Sequence, residues 1–266
     1  MNGAIGVFDS GIGGLTVLKE IVAILPKEDT IYLGDTARVP YGIRSADTVI
    51  RYSLENAKFL LGKNIKLLVI ACNTVSAVGL ATLRDRYSLP IVGVMEPGAR
   101  KAVKVTKRKK IGVIGTERTI RSRAYSHSIK MIDPEIEIVS QACPLFVPLV
   151  EEGWTDNNIA FMTAERYLQG LQDAKIDTLI LGCTHYPLLK DVIRKVLGDW
   201  VLLVDSAEET AIEVMGVLRA GNLLKDGDEK PVHEFYVTDT PEMFVRTGIS
   251  FFPGVGLEDV KRVTIA

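Results

Sequence analysis

Apolar and polar positions along this chain follow two different periods, and the switching between them outlines the fold. Short continuous apolar runs rich in β-branched residues read as buried strands at residues 4–8, 30–33, 67–71, 91–94, 111–114, 136–141, 178–181, 201–204 and 235–238. Residues 45–61, 76–87, 157–171 and 188–197 carry their apolar side chains at helical spacing instead. Strands and helices in this alternation predict an α/β protein with mainly parallel sheets and helices on both faces. No low-complexity segment interrupts the pattern.

The pattern is also written twice. Ala4-Ile5-Gly6-Val7-Phe8-Asp9-Ser10 echoes Lys110-Ile111-Gly112-Val113-Ile114-Gly115-Thr116, and Leu67-Leu68-Val69-Ile70-Ala71-Cys72-Asn73-Thr74 matches Thr178-Leu179-Ile180-Leu181-Gly182-Cys183-Thr184-His185. Gly6 precedes Cys72 by 66 positions and Gly112 precedes Cys183 by 71, so two similar doubly wound lobes account for the chain better than one sheet. The expected crossovers are Glu96-Pro97-Gly98 and Asp205-Ser206-Ala207. They divide the chain into a first lobe (1–97) with Cys72, a second (98–207) with Cys183, and a C-terminal segment (208–266).

Composition narrows the function mainly by exclusion. The 266 residues suffice for one large or two medium domains with an ample core. With 32 Lys and Arg against 33 Asp and Glu, neither nucleic acid nor a membrane surface is the expected principal partner. The one basic cluster, Lys101, Lys104, Lys107, Arg108, Lys109 and Lys110, reads as a solvated helix end rather than a phosphate site. The N-terminus lacks a signal-peptide pattern and no apolar run approaches a bilayer span, so a soluble cytoplasmic protein is expected. Three cysteines, odd in number and too few for a disulfide framework, fit free thiols.

The duplicated motif places a thiol after each of two equivalent strands, where open α/β sheets carry out chemistry. An acid/base group from each of two facing halves could serve opposite faces of one carbon, which points to a two-thiol racemase or epimerase. His185, two positions after Cys183, could orient or deprotonate that thiol or act on substrate. A helix N-terminus after each cysteine would raise its thiolate fraction. Cys143, in Gln141-Ala142-Cys143-Pro144, lacks such neighbours and reads as packing. A zinc site from Cys72, Cys183 and His185 has no supporting ligand spacing, and a Cys–His hydrolase would leave one thiol idle.

Two loops add polar candidates. In Asp9-Ser10-Gly11-Ile12-Gly13-Gly14 the glycines allow backbone N–H groups to approach an anion, but Thr16 stands where a dinucleotide fingerprint has glycine. Asp9 is either a capping residue or a proton-handling acid. In Gly34-Asp35-Thr36-Ala37-Arg38-Val39-Pro40-Tyr41-Gly42, Arg38 could pair with Asp35 or with a ligand carboxylate.

These segments, together with Pro144-Leu145-Phe146-Val147-Pro148-Leu149-Val150-Glu151-Glu152-Gly153 and Leu181-Gly182-Cys183-Thr184-His185-Tyr186-Pro187, resemble the glutamate racemases, a family within the aspartate/glutamate racemase superfamily. The resemblance covers nearly the whole chain and no motif position departs from it. It implies two pseudo-symmetric α/β lobes enclosing glutamate, a C-terminal segment returning to the first lobe, a homodimer, no cofactor, and D-glutamate production for peptidoglycan. It makes Cys72 and Cys183 the catalytic thiols, with Asp9, His185 and Glu151 (or its neighbour Glu152) in support. Substrate contacts are implied for Asp9, Ser10, Tyr41, Gly42, Asn73, Thr74, Thr184 and His185, with Thr116 and Thr119 added from the second lobe. Aspartate racemisation and a non-catalytic amino-acid binding protein are the competing expectations.

Overall fold

A computed structural model describes residues 3–227, 229–257 and 259–265. The first lobe runs β1 (Ala4–Asp9), α1 (Leu15–Ile24), β2 (Thr30–Gly34), α2 (Ala46–Leu61), β3 (Ile65–Ile70), α3 (Asn73–Val78), α4 (Leu80–Arg86) and β4 (Ile91–Gly93). The connecting helix α5 (Met95–Val105) leads into β5 (Lys110–Gly115), α6 (Glu117–Ser122), α7 (Ala124–Ile132), β6 (Glu137–Ala142), α8 (Phe146–Glu151), α9 (Asn158–Asp173), β7 (Thr178–Gly182), α10 (Lys190–Leu197) and β8 (Leu202–Asp205). The chain then returns through α11 (Ser206–Ala220) to β9 (His233–Val237), α12 (Pro241–Phe251) and β10 (Val260–Arg262).

Every strand pairing is parallel, and the two sheets share one plan. Four strands run β2-β1-β3-β4 in the first and β6-β5-β7-β8 in the second, while β9 and β10 extend the first beyond β2. The central strands β1, β3, β5 and β7 are buried almost throughout, which is why they read as unbroken apolar runs. Each buried Leu, Ile or Phe there contributes about 1.5–3 kcal/mol of hydrophobic stabilisation. β6, an edge strand, is only partly buried, and its sequence is correspondingly more polar.

Local signals explain several boundaries. Ser45 accepts from the Thr48 N–H to cap α2, and Asn157 caps α9 through the Ala160 N–H. The helix expected over 76–87 is two helices instead, starting directly after Cys72 and broken at Gly79. Glu96-Pro97-Gly98 is the first turn of α5, where proline is tolerated because early helical N–H groups have no partner anyway. The connection between the lobes is thus a helix rather than a loop. Asp205 caps the return helix α11, accepting from the Ala207 N–H at 3.0 Å.

At the opposite end of the first sheet from the thiols, Lys66 and Glu28 form a buried ion pair at 2.5 Å. Glu28 also accepts from the Lys225 N–H, and Lys225 Nζ reaches Asp29 at 2.8 Å, so the pair fastens the C-terminal segment to the strand starts. Within the basic cluster, Lys101 pairs with Glu209, Lys109 with Asp133 and Glu135, and Lys110 with Glu137. No helix among the described residues is long and apolar enough to cross a membrane.

Candidate active site

The C-terminal ends of both sheets face one cavity of about 340 Å³ between the lobes. The strand register makes its two thiols equivalent. Phe8 lies opposite Ile70 and Ile114 opposite Leu181, and each cysteine follows two residues after the second member of its pair. Ser10, Tyr41, Gly42, Cys72, Asn73 and Thr74 line the cavity from the first lobe; Thr116, Glu151, Cys183, Thr184 and His185 line it from the second. Asp9 and Thr119 lie behind this wall, each almost completely buried.

The two sulfurs have unlike neighbours. Cys183 Sγ lies 3.8 Å from His185 Nδ1, and His185 Nε2 lies 2.9 Å from Glu151 Oε1. Burial alone would drive the imidazole toward neutrality, but its bonds to Cys183 and Glu151 prevail and push its pKa up to about 10. The Glu151 carboxylate is nearly half exposed, so water screens part of that attraction. Phe251 of α12 meets the His185 ring edge-on at 5.2 Å, which fixes the ring plane. Glu152 lies outside the cavity wall.

Cys72 Sγ lies 3.5 Å from Ser10 Oγ. Burial pushes its pKa up to about 12, nearby Asp9 adds to the rise, and the Ser10 hydroxyl and Val75 N–H oppose it. Burial therefore outweighs the helix start that the sequence suggested would favour thiolate. Asp9 Oδ2 accepts from the Gly11 N–H at 3.0 Å. Its own burial raises the carboxyl pKa, against the lowering influence of His185 and the turn N–H groups.

Where the lobes meet, side chains give way to glycine. A Cβ on Gly13 would sit 2.2 Å from Thr184 Oγ1 and 2.6 Å from His185 Nδ1; one on Gly42 would sit 2.6 Å from Thr116 Cβ. The second and third glycines of the turn thus serve the approach of the lobes and of Asp9, not a dinucleotide. Thr16 Oγ1 bridges the seam to the Thr184 carbonyl at 3.2 Å, and Thr74, Thr116 and Thr119 form a triangle of hydroxyls at 3.0–3.3 Å.

Arg38 is committed to structure. It reaches Asp35 at 2.7 Å, Glu55, and Asn56 at 3.1 Å, while Tyr41 donates to the same Asp35 carboxylate. This resolves the alternatives for Arg38 in favour of Asp35. Tyr41 accordingly presents its ring to the cavity with its hydroxyl already bonded. The cavity also has an apolar wall of Val39, Pro40, Ile43, Val147 and Pro148, and the acidic Glu117, none of which the sequence pattern marks as site residues. The first five lie inside quoted motif segments or directly beside them, yet apolar residues in loops give no chemical signal. No group of three His, Cys, Asp or Glu side chains among the described residues is placed to hold a metal ion.

The Asp/Glu/hydantoin racemase family profile matches residues 5–214. The chain belongs to that family. Glutamate racemase of Geobacter metallireducens is 60% identical over 262 residues, covering 98% of this chain and 97% of that protein. Glutamate racemase isoform RacE1 of Bacillus anthracis, 43% identical, superposes with a TM-score of 0.94 over 98% of this chain and 97% of its own. The Francisella tularensis glutamate racemase solved in complex with D-glutamate, 39% identical, gives a TM-score of 0.93 over 99% and 98% of the two chains. This racemase is an isomerase, and its two α/β lobes are the architecture of those relatives.

Proposed function

We propose that this racemase interconverts L- and D-glutamate by proton transfer at the α-carbon between Cys72 and Cys183. The observation that carries the reading is that two register-equivalent thiols from two lobes line a single cavity. A thiolate on one side removes the α-proton and leaves the electron pair on carbon, delocalised into the α-carboxylate. The thiol on the other side then donates its proton to the opposite face, and the centre inverts. Each turnover exchanges the protonation states of the two sulfurs, so duplicated lobes suit a reaction that runs both ways.

By the family resemblance, Cys72 serves D-glutamate and Cys183 serves L-glutamate. His185, cationic at neutral pH and braced by Glu151, offers positive charge beside Cys183. Cys72 has no imidazole, and the substrate ammonium supplies the opposite charge that draws its pKa down on binding. Asp9 supports the Cys72 side from behind Ser10. The α-proton is weakly acidic, so the closed cavity must exclude water while loop N–H groups and hydroxyls stabilise the growing carboxylate charge. Among the described residues no lysine lines the cavity, and the reaction is read as needing no cofactor, the two thiols handling the proton themselves. D-Glutamate from this reaction would serve peptidoglycan synthesis in the cytoplasm.

The test is circular dichroism of L-glutamate incubated in heavy water with reduced, metal-free protein and no pyridoxal phosphate, followed by mass analysis of the α-position. Decay of the signal to zero with one deuterium per inverted centre is the expected result. An unchanged signal in folded protein, or decay with aspartate instead, would transfer the reading to a binding protein or to aspartate racemisation respectively.

A further inference from the structure

Asn73 follows Cys72 directly and lines the cavity, yet it is 3% exposed and its Nδ2 makes no hydrogen bond within the protein. Its Oδ1, by contrast, accepts from the Tyr125 hydroxyl at 2.6 Å. Tyr125 belongs to α7 of the second lobe and is also almost wholly buried. The bond therefore crosses the seam and joins the start of α3, directly after Cys72, to the second lobe.

A buried amide with one end bonded and the other end free is costly unless something else completes it. The amide has two orientations that differ only in which end faces the cavity. A phenol can donate one proton; with that proton on Oδ1, the Nδ2 donor is left for the cavity, where an anionic amino acid needs donors. The phenol's own surroundings hold it in place. Ser206, the first residue of α11, is a second hydrogen-bonding neighbour, and a Cβ on Gly182, just before Cys183, would lie 3.1 Å from the Tyr125 ring.

Resting on the proposed glutamate reaction, we propose that Tyr125 is a positioning residue that sets the Asn73 amide so that Nδ2 donates to a carboxylate oxygen of the bound substrate. Tyr125 touches no reacting atom and acts through Asn73. It also makes the donor conditional on lobe closure, because the residue that orients Asn73 belongs to the other lobe.

The experiment is a double-mutant cycle of Tyr125→Phe and Asn73→Ala, with KM and kcat for both glutamate enantiomers. Tyr125→Phe keeps the ring and is expected to lower kcat/KM about tenfold, chiefly through KM, because the contact exists in ground and transition states alike. On the Asn73→Ala background the same change is expected to cost less than about twofold, since the residue it acts through is gone. An equal loss on both backgrounds, or a loss confined to kcat as expected for a phenol that only governs closure, would overturn the assignment. So would an unchanged kcat/KM in the single Phe variant. Should Tyr125→Phe fail to fold, Asn73→Asp supplies the answer. It replaces the donor with an acceptor and keeps the phenol's partner, so a folded Asp variant with near-normal KM would equally refute the role. Wild-type protein inactive on glutamate would instead sink the underlying function.

Discussion

The two lobes carry the same four-strand plan and place a thiol at the same register, but they surround those thiols differently. In the second lobe, sulfur, imidazole and carboxylate form a chain ending at half-exposed Glu151. In the first, the sulfur has a hydroxyl neighbour and a buried acid, and its pKa is pushed up to about 12. The internal echo explains how this arises. Asp9 and Gly115 are equivalent positions at the ends of β1 and β5, so the acid is present in one copy only. The first lobe also gains β9, β10 and α12, and α12 sends Phe251 against His185 of the other lobe. The duplicated framework provides two bases, and the substitutions between copies divide their work.

The strongest test of that division is to remove one thiol at a time. Cys72→Ser and Cys183→Ser should each reduce net racemisation by about a thousandfold or more, the range for loss of a positioned acid/base group. Racemisation has an equilibrium constant of unity, so kcat/KM must fall by the same factor in both directions whichever thiol is lost. Steady-state rates therefore cannot separate the thiols, whereas α-proton exchange into heavy water can. Losing Cys72 should suppress exchange from D-glutamate more than from L-glutamate, and losing Cys183 should do the reverse. Equal suppression would refute the handedness while leaving two-thiol chemistry standing.

The seam gives the next largest effect. Gly13→Ala would place a methyl against Thr184 and His185, on the second lobe's thiol side. An ångström of misplacement in a catalytic group can cost about a hundredfold, and a loss of that order in kcat/KM is expected with the fold intact by circular dichroism. A loss below about threefold would mean that the lobes do not close to this geometry during turnover.

Glu151→Gln probes the His185 chain more gently. With Glu151 present the imidazolium persists to about pH 10; without it the pKa falls, so the alkaline limb of kcat/KM should move to lower pH by roughly half a unit or more. Activity at neutral pH should fall only severalfold, because the carboxylate is partly screened. Stability has the same sign. A raised folded-state pKa stabilises fully below the ordinary value of 6.5 and loses that contribution as pH rises through about 10. Denaturant midpoints across that window should therefore drop further for wild type than for Glu151→Gln. A wild-type midpoint flat across the window would contradict the pairing.

Much of the fold was legible because strand burial writes itself into sequence: β1, β3, β5 and β7 are buried on both faces and read as unbroken apolar runs. β10 was not, since it is three residues long, mostly polar, and paired at the sheet edge with β9. The helix after Cys72 starts earlier than its apolar spacing suggests, because Asn73 and Thr74 resemble loop residues until their burial against the second lobe is known. Site chemistry that lies within a motif, such as Cys183 with His185, was readable from spacing. Chemistry assembled across the seam was not. Nothing local joins Tyr125 to Asn73, 52 positions apart. The fate of Arg38 was likewise invisible until Glu55 and Asn56 of α2 came into reach.

The third cysteine separates position from environment. Cys143 also stands at a strand end, immediately after β6, so a thiol in that place is not sufficient for chemistry. It is fully buried in the main apolar core, lies outside the cavity wall, and its thiol donates to the Gln141 carbonyl at 3.7 Å. Burial raises its pKa well above the ordinary thiol range, with no imidazole or hydroxyl to offset it. Its structural duty falls to the backbone, whose carbonyl accepts from the Tyr186 hydroxyl at 2.9 Å. Cys143→Ala keeps that bond and removes one sulfur from the core. It should cost about 1 kcal/mol of unfolding free energy by denaturant titration and leave kcat/KM and both isotope-exchange rates within about twofold. A selective fall in exchange from one enantiomer would mean that a third thiol communicates with the cavity, and the two-thiol comparison would have to be redrawn around it.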